Sequence, residues 1–248
     1  MSAPGPPDFV ARLAPQNYSG AAMPWRLLLG RCWQRLGQVA RMQSAIGPIA
    51  MDSLTRAATK VRLCLLKRAL SRARKEPPDA ELGALLECLP AGGALVHRET
   101  LLIEKARDLP PLEALALLDE VRGRCAAWGY DGHVRATHLY SAEAAMAVDP
   151  PLARRRALAA ADRAQMRSYA YGYRAETWLI CGKALRAAGD ETQAARLLRR
   201  GGAWVRDLAR RHVPGEFRDG FLHRNPVNAE LLALSARLDL LDDEALAV

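Results

Sequence analysis

The sequence has few of the residues that favour β-strands. Among its 248 residues, Val, Ile and Thr together number 21 and aromatic residues make up 6%, whereas Ala occurs 46 times and Leu 38 times. Strands are enriched in β-branched and aromatic residues, while Ala, Leu, Arg and Glu enter helices at little cost. The composition therefore predicts an all-α protein and excludes sandwiches, barrels and most α/β nucleotide-binding folds.

Paired cysteines and long apolar runs are also missing. The five cysteines are odd in number and include no Cys-x-x-Cys pair, which argues against a disulfide framework and against a zinc site. The N-terminus lacks the pattern of a signal peptide, and no run of about eighteen uncharged apolar residues occurs. We therefore expect a cytoplasmic protein with no membrane span, no metal and no cofactor.

Motifs that carry catalysis are lacking as well. No Gly-rich phosphate-binding loop occurs, because the pair Gly182-Lys183 is followed by Ala184. His133 and His138 are five residues apart, so they do not share the helix face that an i, i+4 metal pair requires. No serine or cysteine has a base nearby in the sequence or resembles a nucleophile elbow. We therefore expect a protein without enzymatic activity.

Acidic residues are scarce in the first third of the chain. Residues 1–75 hold 13 Lys and Arg against 2 Asp and Glu, whereas the remainder holds 23 against 25. The stretch from Trp25 to Ala40 has the apolar spacing of one helix face, with arginines largely outside it. Such a helix packs on a neighbour, lies on a membrane surface or contributes to nucleic-acid binding. Because no DNA-binding motif accompanies the charge, packing on a neighbouring helix is the preferred interpretation.

Proline and glycine divide the chain into three regions. Residues 1–22 have little apolar content and are predicted to form a disordered lead. Residues 23–95 form a basic helical region with a degenerate repeat, in which Asp79 caps a short helix. Residues 96–248 form a helical repeat domain with a C-terminal cap. The breaks predict helices near 25–40, 49–75, 79–89, 97–108, 111–128, 133–147, 151–168, 173–188, 191–212 and 227–241.

Two of these helical segments repeat at a spacing of 40 residues. Placing Gly132 on Gly172 aligns Thr137 with Thr177, and the apolar positions that follow stay in register. A period of this length is typical of arrays in which each helical hairpin buries its apolar face against its neighbours. The sequence therefore predicts stacked antiparallel helical hairpins.

The clearest repeat resembles the tetratricopeptide repeat. Gly182 stands at the small position where the two helices approach, and Ala194 and Leu198 stand at the small and large positions of the second helix. A second copy of this pattern lies upstream, beginning at Leu29, and has Met42 where the pattern has a small residue. The matching residues are Trp178, Cys181, Gly182, Leu185, Gly189, Asp190, Ala194 and Leu198, and upstream Leu29, Gly30, Trp33 and Gly37.

The C-terminal stretch 213–228, with the apolar helix after it, resembles the end of the repeat region in large bacterial signal-transduction ATPases and transcriptional activators. The resemblance implies a right-handed superhelix of antiparallel hairpins closed by a C-terminal capping helix. It also implies a sensor or regulatory role in signal transduction or transcription. Because the phosphate-binding loop is missing, the chain resembles the sensor end of such a protein without its ATPase.

In superhelices of the tetratricopeptide type, the first helix of each hairpin lines a concave groove. Basic residues there favour an acidic peptide or a C-terminal carboxylate. We therefore predict a non-enzymatic module that binds a protein segment. The alternatives are nucleic-acid binding through the basic N-terminal helices and a small-molecule sensor. The predicted groove residues are Glu176, Leu179, Lys183 and Arg186 of the clearest repeat, Glu143 of the repeat before it, and Arg31, Gln34 and Arg35 of the upstream copy.

Overall fold

The computed structural model describes residues 22–77, 80–89, 95–163 and 172–246, and within these ranges it contains helices and no strands. This confirms the predicted all-α class. In the part of the chain so described, twelve α-helices follow one another: α1 (Ala22–Arg35), α2 (Val39–Ile46), α3 (Ala57–Arg74), α4 (Glu81–Cys88), α5 (Leu95–Ala106), α6 (Pro111–Ala127), α7 (Asp131–Ala145), α8 (Pro150–Arg163), α9 (Arg174–Ala187), α10 (Glu191–His212), α11 (Gly215–Asp219) and α12 (Pro226–Leu246).

The N-terminal helices are shorter than the apolar pattern predicts. Gly37 has a φ of +66°, a left-handed conformation that separates α1 from α2. Leu54 is extended, so the predicted helix over 49–75 is reduced to α3 and a preceding 3₁₀ turn. Apart from Ala22, the predicted disordered lead lies outside the described residues, and so does the predicted helix cap Asp79.

The hairpin of α9 and α10 shows why a small residue is needed where two helices cross. A Cβ atom on Gly182 would lie 2.6 Å from the side chain of Leu198, which is closer than real Cβ contacts allow. Leu198 and Ala194 are both fully buried on α10. Gly189, with a φ of +77°, lies in the turn between the helices. The small and large positions of the sequence pattern are therefore the ones at which this hairpin packs.

The hairpin of α1 and α2 has the same geometry at the same spacing. A Cβ atom on Gly30 would lie 2.6 Å from Cγ2 of Ile46, sixteen residues further on, as for the corresponding pair of the α9–α10 hairpin. Gly37 occupies the turn with a positive φ. Met42 stands at the small position and is buried, with 2% of its surface exposed. The upstream copy of the pattern thus forms a hairpin with a larger side chain in its core.

The two ends of the chain share one hydrophobic core. This core contains residues of α1, α2 and α3 together with residues of α9, α10 and the C-terminal helices, whereas a second core joins α5 through α10. The basic N-terminal region therefore packs on the last hairpin and its cap. Buried members of the shared core include Leu27, Trp33, Ile46, Leu66, Trp178, Leu198, Phe217, Phe221 and Leu231.

The backbone of the α1–α2 turn lies directly against the backbone of the π-helical turn at residues 220–224. A Cβ atom on Gly37 would lie less than 3.0 Å from the carbonyl oxygen of Gly220 and from the backbone nitrogen of Asn225. A Cβ atom on Gly220 would come equally close to the carbonyl oxygen of Leu36. Only glycine allows this approach. We call residues 36–38 and 220–225 the terminal contact.

Two buried asparagines hold the terminal contact in place. The side-chain amide of Asn225 donates a hydrogen bond to the carbonyl oxygen of Arg35 at 2.9 Å. Its Oδ1 accepts hydrogen bonds from the backbone N–H groups of Val227 at 3.1 Å and Asn228 at 3.3 Å, in the first turn of α12. Asn228 in turn donates to the carbonyl oxygen of Phe221 at 2.8 Å. Asn225 therefore caps α12 and binds the end of α1 with one side chain.

Candidate functional site

Arg107, in the turn directly after α5, links the first helices of three successive hairpins. Its guanidinium nitrogens lie 3.1 Å from Glu176 of α9, 3.7 Å from Glu104 of α5 and 4.0 Å from Glu143 of α7. Its Cζ lies 4.3 Å from the ring centroid of Tyr140, also on α7. The side of α5, α7 and α9 that these residues share is called the inner face below. A single arginine thus connects the inner face across three helices.

Two arginines of α3 extend the arrangement. Arg68 is buried and pairs with Glu104 at 3.3 Å and with Asp108. Arg72 also pairs with Glu104, whose side chain is only 5% exposed. The N-terminal region is therefore joined to the repeat helices by charge as well as by apolar packing. We call the whole set the inner charged network; it comprises Arg68, Arg72, Glu104, Arg107, Asp108, Tyr140, Glu143 and Glu176.

The electrostatics of the network keep Arg107 charged. Burial opposes the charge, but Tyr140 and the three glutamates outweigh burial and raise the pKa of Arg107 well above its ordinary value. Burial raises the pKa of Glu143, although Arg107 acts in the opposite direction. The side chain of Glu143 is nevertheless 41% exposed, so its carboxylate remains accessible to a partner.

The end of α1 reaches the inner face through Arg35. The Cζ of Arg35 lies 3.9 Å from the ring centroid of Tyr173, which precedes α9. The hydroxyl of Tyr173 donates a 2.7 Å hydrogen bond to Oδ1 of Asn228. Burial lowers the pKa of Arg35, and the charge of Glu176 partly offsets this effect. Arg35, Tyr173 and Asn228 thus connect the first helix, the last hairpin and the cap.

The two predicted basic residues of α9 form ion pairs at the surface. Nζ of Lys183 lies 2.8 Å from Oε1 of Glu230 on α12, and both side chains are nearly half exposed. Nε of Arg186 lies 3.6 Å from Glu191 at the start of α10. Surface pairs of this kind contribute about 0–1 kcal/mol, because water competes for both charges. A carboxylate from another molecule would therefore displace Glu230 or Glu191 at little cost.

The remaining predicted groove residues lie in different surroundings. Leu179 is 5% exposed and belongs to the core shared by the two chain ends. Arg31 is exposed on α1, and Gln34 is half-buried on the same helix. The structure therefore brings Glu143, Glu176 and Arg35 together around the network. Lys183 is close enough to lower the pKa of Glu143, while Arg31 and Arg186 lie at the surface.

Sequence reasoning missed Arg107, Arg68 and Glu104. The 40-residue register aligns α7 with α9 and does not reach α3 or α5, so no repeat position pointed to these residues. The i, i+3 spacing of Glu104 and Arg107 is typical of any ion pair on a helix surface. The importance of Arg107 depends on a contact with Glu176, 69 residues away. No local pattern could have revealed it.

His133 and His138 have ordinary structural partners. Nε2 of His133 lies 2.9 Å from Oγ1 of Thr100, and Nδ1 of His138 lies 3.5 Å from a guanidinium nitrogen of Arg156. Among the residues that the structure describes, no group of three His, Cys, Asp or Glu side chains is arranged to hold a metal ion.

Buried His133 makes the stability of the fold sensitive to acid. Burial lowers the pKa of His133, which the charge of Glu99 only partly offsets and that of His97 reinforces. The unfolded chain therefore binds more protons, and stability falls as the pH drops through about 6.5. Urea unfolding at about pH 7.5 and about pH 5.5 should show a smaller loss in His133→Gln than in the wild type. Equal losses in both proteins would contradict this assignment.

No helix in the described ranges combines the length and the apolar content needed to cross a bilayer. No family model matches the sequence, and neither the curated proteins nor the solved structures that were searched contain a significant match.

Proposed function

We propose that the chain is a non-enzymatic interaction module whose inner face binds a segment of another protein. In this proposal the hairpins form a superhelix of the tetratricopeptide type, and the module serves a sensor or regulatory role in the cytoplasm, in signal transduction or transcription. The observation that carries the proposal is the concentration of charged side chains on the inner face, drawn from α3, α5, α7 and α9. Charges placed on one face by several helices suit recognition of an extended polar segment.

The exposed charged side chains near the inner face indicate which charged groups the bound segment carries. Lys183 already binds a carboxylate, that of Glu230, in a pair that water weakens. A carboxylate of the partner, from an acidic side chain or a free C-terminus, therefore replaces Glu230 on Lys183 and gains a charge-assisted hydrogen bond.

Glu143 adds a second requirement, which is for a positively charged or hydrogen-bond-donating group on the partner. The Glu143 side chain is 41% exposed beside Arg107. Burial raises the pKa of its carboxyl group, and the positive charge of Lys183 opposes that rise. A partner with acidic groups alone is repelled here, whereas one that places an N–H donor or a basic side chain near Glu143 is favoured. The proposed ligand is therefore a segment of mixed charge with a carboxylate at Lys183, rather than a uniformly acidic peptide.

Peptide selection with matched charge-reversal variants tests this proposal. A displayed library of random peptides with free C-termini is selected against the full chain, and the affinities of the selected peptides are measured by calorimetry. We expect Lys183→Glu to weaken binding by about tenfold, because a charged hydrogen bond is replaced by repulsion. The matched control is Arg210→Glu, since Arg210 is an exposed arginine of α10 paired within its own helix.

Two results would overturn the proposal. One is a library from which no peptide binds the full chain. The other is a set of selected peptides that tolerate Lys183→Glu as well as they tolerate Arg210→Glu. Glu230→Gln offers an independent check, because removal of the internal carboxylate should tighten peptide binding. Unchanged or weaker binding in that variant would show that Glu230 does not compete for Lys183.

A further inference from the structure

The outer side of α1 is an exposed apolar stripe. Trp25 is 63% exposed and Leu28 is 50% exposed, whereas Leu27 and Trp33 on the opposite side are buried in the shared core. At 100° per residue, positions 24, 25, 28, 31 and 32 fall within one sector of the helix, and all five side chains are exposed. Arg31 is the one charged residue among these five positions, and Arg35 follows in the same sector at the end of the helix, where it is half-buried against Tyr173. One side of α1 therefore packs on the protein while the other presents Trp and Leu to the surroundings.

The N-terminal region that contains this stripe is strongly basic. Between residues 22 and 75 the chain has twelve Lys and Arg and a single acid, Asp52. Arginines at the surface of α1 and α3 and just before α3 include Arg31, Arg56 and Arg62. Neither the core nor the inner face uses these exposed charges. The repeat helices that follow are close to neutral, so the positive charge belongs to the same part of the molecule as the exposed stripe.

We propose that this surface docks on an anionic lipid bilayer, with α1 lying in the plane of the interface. Trp25 and Leu28 enter the boundary between headgroups and acyl chains, and the exposed arginines of α1–α3 pair with acidic headgroups. A helix with large apolar side chains on one side and basic residues around it binds membranes in this way. Tryptophan is enriched at the bilayer interface because its ring is amphipathic.

The exposed apolar side chains favour lipid over nucleic acid as the partner. Phosphate groups of DNA or RNA are bound by Arg and Lys, which does not require an exposed leucine beside an exposed tryptophan. A lipid interface uses both the charge and the apolar stripe. The inner face lies on other helices, so the module would carry a membrane-facing side and a partner-binding side. Failure of one proposal leaves the other intact.

Co-sedimentation of the full chain with lipid vesicles tests the proposal. The vesicles contain either phosphatidylcholine alone or phosphatidylcholine with about a third of phosphatidylserine, at low salt. We expect binding only to the anionic vesicles. Leu28→Asp should reduce that binding by about tenfold, because it removes buried apolar area and adds a repelled charge. Arg31→Ala should reduce it by about fivefold, the effect of one basic residue near an anionic surface.

Leu112→Asp is the matched control, because Leu112 is a 71% exposed leucine of α6 in the neutral part of the chain. It should bind the vesicles as the wild type does. The proposal is overturned if anionic vesicles do not bind the chain, or if Leu28→Asp and Leu112→Asp bind equally. Tighter binding to duplex DNA than to anionic vesicles, with Leu28→Asp unaffected on DNA, would assign the basic surface to nucleic acid instead.

Discussion

Gly37→Ala is expected to lower the free energy of unfolding by about 3 kcal/mol or more. The new Cβ would lie less than 3.0 Å from the carbonyl oxygen of Gly220 and from the backbone of residues 224 and 225. Backbone atoms cannot move aside as a flexible side chain can. The substitution therefore either separates the α1–α2 turn from the C-terminal cap or distorts both. Urea unfolding followed by circular dichroism measures the effect.

Gly189→Ala separates this steric effect from backbone strain. Gly189 occupies the corresponding turn of the α9–α10 hairpin with a φ of +77°, and apart from its two chain neighbours no residue lies within 4 Å of the position that a Cβ would take there. Its replacement should cost only about 1–2 kcal/mol, the penalty of a left-handed conformation for an L-residue. If Gly37→Ala and Gly189→Ala destabilise the protein equally, the terminal contact contributes nothing to stability.

Arg107→Met should destabilise the fold by about 3 kcal/mol, because it leaves acidic groups without their shared cation. Glu176 loses its partner at 3.1 Å, and Glu104, whose side chain is 5% exposed, loses one of its three arginines. Methionine has a similar volume to arginine, so the loss of stability measures the removal of the charge and not the creation of a cavity. Chemical denaturation of the purified variant provides the measurement.

A second substitution tests whether charge is the cause. Glu176→Gln in the Arg107→Met background should recover part of the lost stability, because one uncompensated carboxylate is removed. Arg210→Met serves as the control and should change stability by less than about 0.5 kcal/mol, since Arg210 is 73% exposed. A double variant no more stable than Arg107→Met would show that the network does not hold the first helices together by charge.

Much of the local architecture could be predicted from the sequence. The scarcity of β-branched and aromatic residues determined that the chain is helical, because strands need them for packing. The spacing of small and large residues around Gly182 and Leu198 located a helix crossing that the structure shows. The same spacing recurs around Gly30, although the apolar period of residues 25–40 predicted one continuous helix where the structure has a turn at Gly37. These features are local, since the crossing pairs Gly30–Ile46 and Gly182–Leu198 are each 16 residues apart along the chain.

The candidate site could be predicted only in part. Counting along two aligned repeats selected Glu143, Glu176 and Lys183, which lie on α7 and α9 near one another. The same count selected Leu179, which is buried because α1–α3 cover that part of α9. The spacing of a repeat indicates which residues share a helix face. It does not indicate which other part of the chain packs on that face.

The sequence by itself determined most of the helices and the crossing points of the α1–α2 and α9–α10 hairpins, because propensity, apolar period and glycine conformation act over short stretches of chain. Only the tertiary structure decided that the N-terminal and C-terminal helices contact each other through Gly37, Gly220 and Asn225. It also decided that Arg107 forms ion pairs with three glutamates. The Arg107–Glu176 and Arg35–Asn225 contacts join residues 69 and 190 positions apart. They depend on how the helices stack in three dimensions, and no periodicity along the chain encodes that stacking.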